Sequence, residues 1–166
     1  VPLIKVEKLR EYFKIPGKGF LHAVDDIDFE VYEGETLGLV GESGCGKSTV
    51  GNVVMRLLKA TSGKLFYEGN DVFATPEDAL EYCKKMQIIF QDPYSSLNPR
   101  KTIRSILEEA YIVQKVCKTQ SEMEEKIAKL CETVGIAKEL LEYYPHELDG
   151  GTRQVVGIAR ALSLNP

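Results

Sequence analysis

Gly41-Glu42-Ser43-Gly44-Cys45-Gly46-Lys47-Ser48-Thr49 is the stretch on which the reading of this chain turns. Glycines at 41, 44 and 46 let a tight loop bring its backbone N–H groups close to a bulky anion without side chains in the way. Lys47 supplies a point charge suited to β- and γ-phosphates. The Ser48 hydroxyl suits Mg²⁺, and a helix starting here adds its dipole. Glu42, Ser43, Cys45 and Thr49 complete a loop expected to hold a nucleoside triphosphate, most simply Mg-ATP. Cys45 needs no special role, but its thiol is expected to be alkylatable and protected by nucleotide.

The flanks fit that requirement. Thr36-Leu37-Gly38-Leu39-Val40 is a short apolar run of the kind buried in a parallel sheet, and it enters the loop directly. Val50, Val53, Val54, Leu57 and Leu58 repeat at helical spacing over Ser48 to Lys59. Upstream, Leu3 to Val31 alternates apolar and polar residues around Pro16, Gly17, Lys18 and Gly19, which predicts antiparallel strands joined by a hairpin. Downstream, Gly63 to Gly69 reads as a strand between turns. Thr75-Pro76-Glu77-Asp78 reads as a helix start with Thr75 as cap. Met86 to Phe90 reads as a strand stopped by Pro93. Thr102 to Val116 and Ser121 to Val134 read as helices, the second opened by a capping box, Ser121-Glu122-Met123-Glu124.

Composition narrows the function. With 166 residues, 43% of them hydrophobic, the chain can bury a core of ordinary domain size. A net charge of -4 and a pI near 5.3 argue against a surface built to hold nucleic acid. No apolar run approaches the roughly 20 residues of a membrane span, and no leader pattern opens the chain. Cys45, Cys83, Cys117 and Cys131 have neither paired spacing nor histidine neighbours, so they are expected to be free thiols. His22 and His146 lack ligand spacing as well.

Three further segments sharpen the picture: Gln91-Asp92-Pro93-Tyr94-Ser95-Ser96-Leu97-Asn98-Pro99-Arg100, Leu148-Asp149-Gly150-Gly151-Thr152, and Arg153-Gln154 followed by Ile158-Ala159-Arg160-Ala161-Leu162. Together with the glycine loop they make the whole chain resemble the ATP-binding subunits of ABC transporters. Gly41 to Thr49 is similar to the Walker A motif, Gln91 to the Q-loop glutamine, and residues 148–152 to a degenerate signature. The run from Gln91 to Arg100 resembles the peptide and nickel importer branch, where two different ATPase subunits usually pair.

The resemblance implies an α/β fold. A P-loop NTPase core of the RecA-like type, joined to an N-terminal antiparallel β subdomain, would occupy residues 1–91. A helical subdomain would span 92–150, and a signature helix leading back to the core would span 151–166. It implies that Lys47 and Gln91 act in catalysis and that Ser48 and Gln91 hold Mg²⁺. Phe13 would stack on adenine, with Tyr12 as the near alternative, and Val24 would touch the base or ribose. Leu148, Asp149, Gly150, Gly151 and Thr152 would contact nucleotide held by the opposite subunit. The implied partners are a homologous ATPase and membrane permease subunits, with no nucleic acid. The implied location is cytoplasmic, peripheral on the inner face of the cell membrane, and Tyr94 to Pro99 would face the permease.

Two departures carry expectations of their own. The family's usual signature is Leu-Ser-Gly-Gly-Gln, whereas here Asp149 and Thr152 stand at its second and fifth places. A carboxylate about 4 Å from a phosphate charge is repelled by about 4 kcal/mol at an effective dielectric of 20. The composite site using this segment is therefore expected to close less readily than its counterpart. The family's next strand, with its Mg²⁺ aspartate and water-polarising glutamate, and the later switch histidine do not occur within residues 1–166. The fold is thus expected to be incomplete and the phosphate-loop strand to be an apolar sheet edge. The 166-residue chain is expected not to hydrolyse ATP, while the intact parent does. Two other readings stay open here, an ABC-type ATPase acting on nucleic acid or ribosomes and a non-hydrolysing nucleotide-binding module.

Overall fold

The computed structural model describes residues 1–166, except for the side chains at positions 76–78. The chain forms two compact units, Val1–Cys83 and Lys84–Pro166.

In the first unit, β1 (Ile4–Ile15) and β2 (Gly19–Val31) make the expected antiparallel hairpin, closed at Ile15 opposite Gly19. β3 (Ser62–Tyr67) pairs with the other edge of β1, and β4 (Asn70–Asp71) follows, giving the order β2-β1-β3-β4. The inward phase of β1 changes midway, from Ile4 and Val6 to Leu9 and Glu11. A bulge at Lys8, whose φ of 48° matches Asp26 at 56° across the pair, absorbs the extra residue. The Asp28 carboxylate accepts from the Lys8 backbone N–H at 2.9 Å and from its ammonium at 3.0 Å. Those bonds hold the Asp28 carboxyl below the usual carboxylate range.

α1 (Lys47–Val54) turns Val50 and Val53 inward. It stops earlier than the apolar spacing predicted. Arg56 takes a left-handed φ of 56°, and the Asn52 carbonyl accepts from both Leu57 and Leu58. Leu57 is consequently exposed. α2 spans Pro76–Lys85, so the helix begins where the proline predicted; the first-turn acids at 77 and 78 lie outside the described side chains.

The second unit is helical: α3 (Pro93–Ser96), α4 (Ile103–Val113), α5 (Gln120–Val134) and α6 (Gly150–Leu162). Its core joins Ile103 and Leu107 of α4, Ile127 and Cys131 of α5, and Val156 and Ala159 of α6. Thr102 caps α4 through the Ser105 N–H. α5 starts one residue before the predicted position. Thr119 is its N-cap, accepting from the Glu122 N–H at 3.2 Å, while Glu122 reaches back to the Lys118 N–H at 3.0 Å. Two overlapping Ser/Thr-x-x-Glu patterns occur here, and the one whose bonds form is the earlier, Thr119 with Glu122, on a helix that buries Met123. Among the described residues no helix is long and apolar enough to cross a membrane.

Two expected strands are corrected. Neither Thr36 to Val40 nor Met86 to Phe90 is in a ladder. The first is therefore not a sheet edge: Leu37 and Leu39 are about half exposed and Val40 is 90% exposed. A strand exists only through its neighbours' hydrogen bonds, and among the described residues no segment pairs with either run. Apolar composition declares what a segment can join, not that a partner is at hand.

Replacing Thr119 by Ala is expected to lower stability by about 1 kcal/mol, whereas Ser121→Ala changes it by less than about 0.5 kcal/mol. Urea unfolding of both variants checks the assignment, and equal losses would reinstate Ser121 as the cap.

Candidate functional site

The loop from Gly41 to Gly46 has no regular secondary structure and is largely exposed. It is held at its far end, where Gly46 serves as N-cap of α1 with φ 96°. A Cβ on Gly46 would lie 2.1 Å from the Ala23 carbonyl oxygen and 3.9 Å from the Val24 side chain. The loop backbone therefore rests directly on β2, and only glycine satisfies both the dihedral and the approach. The Lys47 ammonium folds back over the loop, donating to the Gly41 carbonyl at 2.8 Å and the Glu42 carbonyl at 2.6 Å. Cys45 Sγ lies 3.6 Å from the same nitrogen, and its thiol is free and exposed.

No side chain caps α1. The first N–H groups of a helix have no intrahelical acceptor, so here the helix dipole and these donors open onto the loop that carries the ammonium. That donor set fits a polyphosphate. The Ser48 side chain sits exposed at the same helix start, with Thr49 half-buried behind it.

Phe13 and Val24 belong to the same unit as the loop. Phe13 pairs with Leu21 near the hairpin end and is 37% exposed. It shares a face of β1 with Glu11, whose cross-strand partner is the buried Val24 under Gly46. Tyr12 points the other way and is engaged already: its ring stacks on His22 at 3.9 Å and its hydroxyl donates to Asp25. Asp25 is held below the usual carboxylate range chiefly by that hydroxyl.

The second unit carries the other expected residues. Gln91 is exposed, directly before Asp92, which caps the short α3 by accepting from the Tyr94 N–H at 2.9 Å. Leu148 is buried. Asp149 caps α6, its Oδ1 accepting from the Thr152 N–H at 2.9 Å and its Oδ2 from the Thr152 hydroxyl at 2.7 Å. Gly150 and Gly151 form the first turn. The Thr152 hydroxyl first, then the backbone amides of Thr152 and Gly151, hold the Asp149 carboxyl below its ordinary value.

Two features escaped the sequence. The seat provided by the Ala23 carbonyl leaves no mark except Gly46 itself. Arg153 and Arg160 read as motif letters only, yet both reach the segment after Gln91; their seven-residue separation on one helix face was the available signal.

Gly46→Ala is expected to lower stability by about 2 kcal/mol, from forced left-handed backbone and displaced contact, and to abolish calorimetric heat with Mg-ATP. Retained binding would show that the loop does not need its seat on β2. For Asp149 the depressed folded value means that the cap stabilises α6 above the ordinary carboxylate range, and that this support is lost as pH falls through the depressed value. Asp149→Asn is expected to keep the cap and remove the acid-dependent loss of amide protection at residues 151–153, read by hydrogen exchange.

Residues 24–166 match the family profile described as ABC transporter. The chain is 48% identical, over 99% of its length, to the oligopeptide transport ATP-binding protein OppF of Bacillus subtilis (strain 168), of which it covers 54%. It is 43% identical over 99% of its length to the oligopeptide transport ATP-binding protein AppF of the same strain, covering 52%. The chain thus spans about half the length of the curated relatives it matches. Among solved structures, a dimeric post-hydrolysis state of the ATP-binding cassette MJ0796 bound to ADP and Pi superposes with a TM-score of 0.83 at 26% identity, covering 98% of this chain and 70% of that one. The fold is accordingly the α/β P-loop NTPase fold of these cassettes, and the chain belongs to the ABC transporter family.

Proposed function

We propose that this chain is the nucleotide-binding portion of an ATPase subunit that couples Mg-ATP binding and hydrolysis to import of peptides or a related small solute through a membrane permease. The observation that carries the proposal is the uncapped start of α1, with the Lys47 ammonium held on the Gly41 and Glu42 carbonyls beside it. The names of the two relatives from Bacillus subtilis support the peptide branch.

In this reading the amides of Gly44 to Thr49 wrap the phosphates, and Lys47 exchanges its two carbonyls for β- and γ-phosphate oxygens. Phe13 covers the base and Val24 flanks the base or ribose. Ser48 and Gln91 would hold Mg²⁺, which supplies charge neutralisation on the phosphates. Gln91 also orients the attacking water. Phosphoryl transfer is largely positioning and charge stabilisation, and these residues would provide part of each, the acid pair expected in the intact parent providing the rest. Leu148 to Thr152 present the start of α6 to nucleotide on a homologous ATPase, here a different subunit, so the pair is a heterodimer. The permease holds the pair at the inner face of the membrane. The functional division follows residues 1–91 for the core with its β subdomain, 92–150 for the helical part and 151–166 for the signature helix.

Isothermal calorimetry is expected to give saturable heat with Mg-ATP and none for Lys47→Ala of equal folded content. Absence of heat from the folded parent would overturn the proposal. In the intact subunit pair, Asp149→Ser is expected to raise nucleotide-driven dimerisation and turnover by about tenfold, since it removes a repulsion worth more than 1.4 kcal/mol. Unchanged values would mean that Asp149 does not face the phosphates.

A further inference from the structure

Arg153 and Arg160 stand seven positions apart on α6, close to two full turns, so both project from one face. That face meets the segment carrying Gln91. The Arg160 guanidinium donates through Nη1 to the Ser96 carbonyl at 2.6 Å and stands 5.9 Å from the centroid of the Phe90 ring. The Arg153 guanidinium lies 4.1 Å over the Tyr94 ring. Arg153 is itself fixed, donating through Nε to the Pro145 carbonyl at 2.6 Å and through Nη2 to the His146 carbonyl at 3.5 Å. Tyr94 reaches back to the helix start, its hydroxyl 3.6 Å from where a Cβ on Gly150 would lie.

One helix therefore grips residues 90–96 at both ends and in the middle. Between the grips the segment has little slack, because Asp92 caps α3 and Pro93 occupies its first turn. Neither arginine forms an ion pair with a carboxylate among the described residues. Burial lowers the pKa of Arg160, with Glu109 opposing. Partly desolvating a guanidinium against a carbonyl and aromatic rings is a poor way to fill space, since an apolar side chain does so without the charge penalty. What the planar fork adds is orientation, a directed bond at one site and a stacked plane at the other.

We infer that Arg153 and Arg160 are positioning residues that make the Gln91 segment and the signature helix move as one body, so that displacement of either element is delivered to the other. The inference rests on the ATPase reading above and adds a mechanical link to it. Neither arginine touches nucleotide in this scheme. They act through Gln91 at one end and through residues 149–152 at the other.

The test uses the full-length subunit in its ATPase pair, with three variants: Arg160→Lys and Arg153→Lys, which keep charge but lose the fork and the stack, and Tyr94→Leu, which removes the stack from a side chain that is 66% exposed. Amide exchange at residues 92–97 is expected to speed up by about tenfold. The Mg-ATP dissociation constant is expected to stay within about twofold while kcat falls by about ten- to a hundredfold, the size of effect a small misplacement produces. Added to Gln91→Ala, Arg160→Lys is expected to change residual turnover by less than about twofold, because the two act in one unit. Unchanged exchange at 92–97, retained kcat in the lysine variants, or a full further loss on top of Gln91→Ala would each overturn the link. Should Arg160→Lys fail to fold, Arg153→Lys and Tyr94→Leu carry the same readouts. If the parent binds no Mg-ATP the ATPase reading fails by itself, while the exchange measurements still decide whether the arginines hold the segment.

Discussion

The nucleotide loop depends on one close approach, the Gly46 backbone lying against the Ala23 carbonyl of β2. That contact fixes where α1 begins, and with it the direction in which the helix's first amides point. Lys47 follows Gly46 directly, so the same contact sets the ammonium above the loop, where the Gly41 and Glu42 carbonyls hold it. A cation already solvated by two carbonyls needs little reorganisation to accept anionic oxygens. The antiparallel hairpin is thus more than a neighbouring layer; its bulged second strand is the shelf on which the phosphate loop stands.

Helix starts divide by what they serve. α3, α4, α5 and α6 are opened by Asp92, Thr102, Thr119 and Asp149, each accepting an amide of the first turn. These caps close off groups that would otherwise need water or a ligand. α1 has no such side chain. The four α-helices of the helical unit thus have their first turns closed by side chains, whereas the start of α1, where the loop turns in, is left open. That contrast is a structural argument for a ligand at α1, independent of the loop's resemblance to any family.

Much of this was legible in the residues. The hairpin, β3 and the helices at 103–113 and 120–134 follow from period and caps, because those elements find their partners within the chain. Thr36 to Val40 and Met86 to Phe90 were misread as strands for the opposite reason: apolar composition predicts burial, but a ladder needs a neighbour, and none is supplied within the described residues. The phosphate loop was readable because each glycine there answers a backbone demand. The Ala23 seat was not, since a carbonyl contact has no letter of its own. Arg153 and Arg160 were visible as a seven-residue spacing, but spacing names a face and says nothing about what that face touches.

Asp149 shows how one side chain can satisfy two demands that conflict. As a cap it is well placed: both carboxylate oxygens are engaged by Thr152, through amide and hydroxyl, and the helix dipole favours its charge. Those bonds lower its proton affinity, so near neutral pH it stays ionised at the start of α6, the end that the proposed function turns toward phosphate. Engagement by Thr152 redistributes the negative charge without removing it, and Thr152, at the signature's fifth place, is what keeps the carboxylate turned toward its own helix. Serine at position 149 would cap nearly as well and carry no charge. The carboxylate therefore contributes little to the helix that serine could not, and in the proposed role its distinctive effect falls on the approach of a second anion.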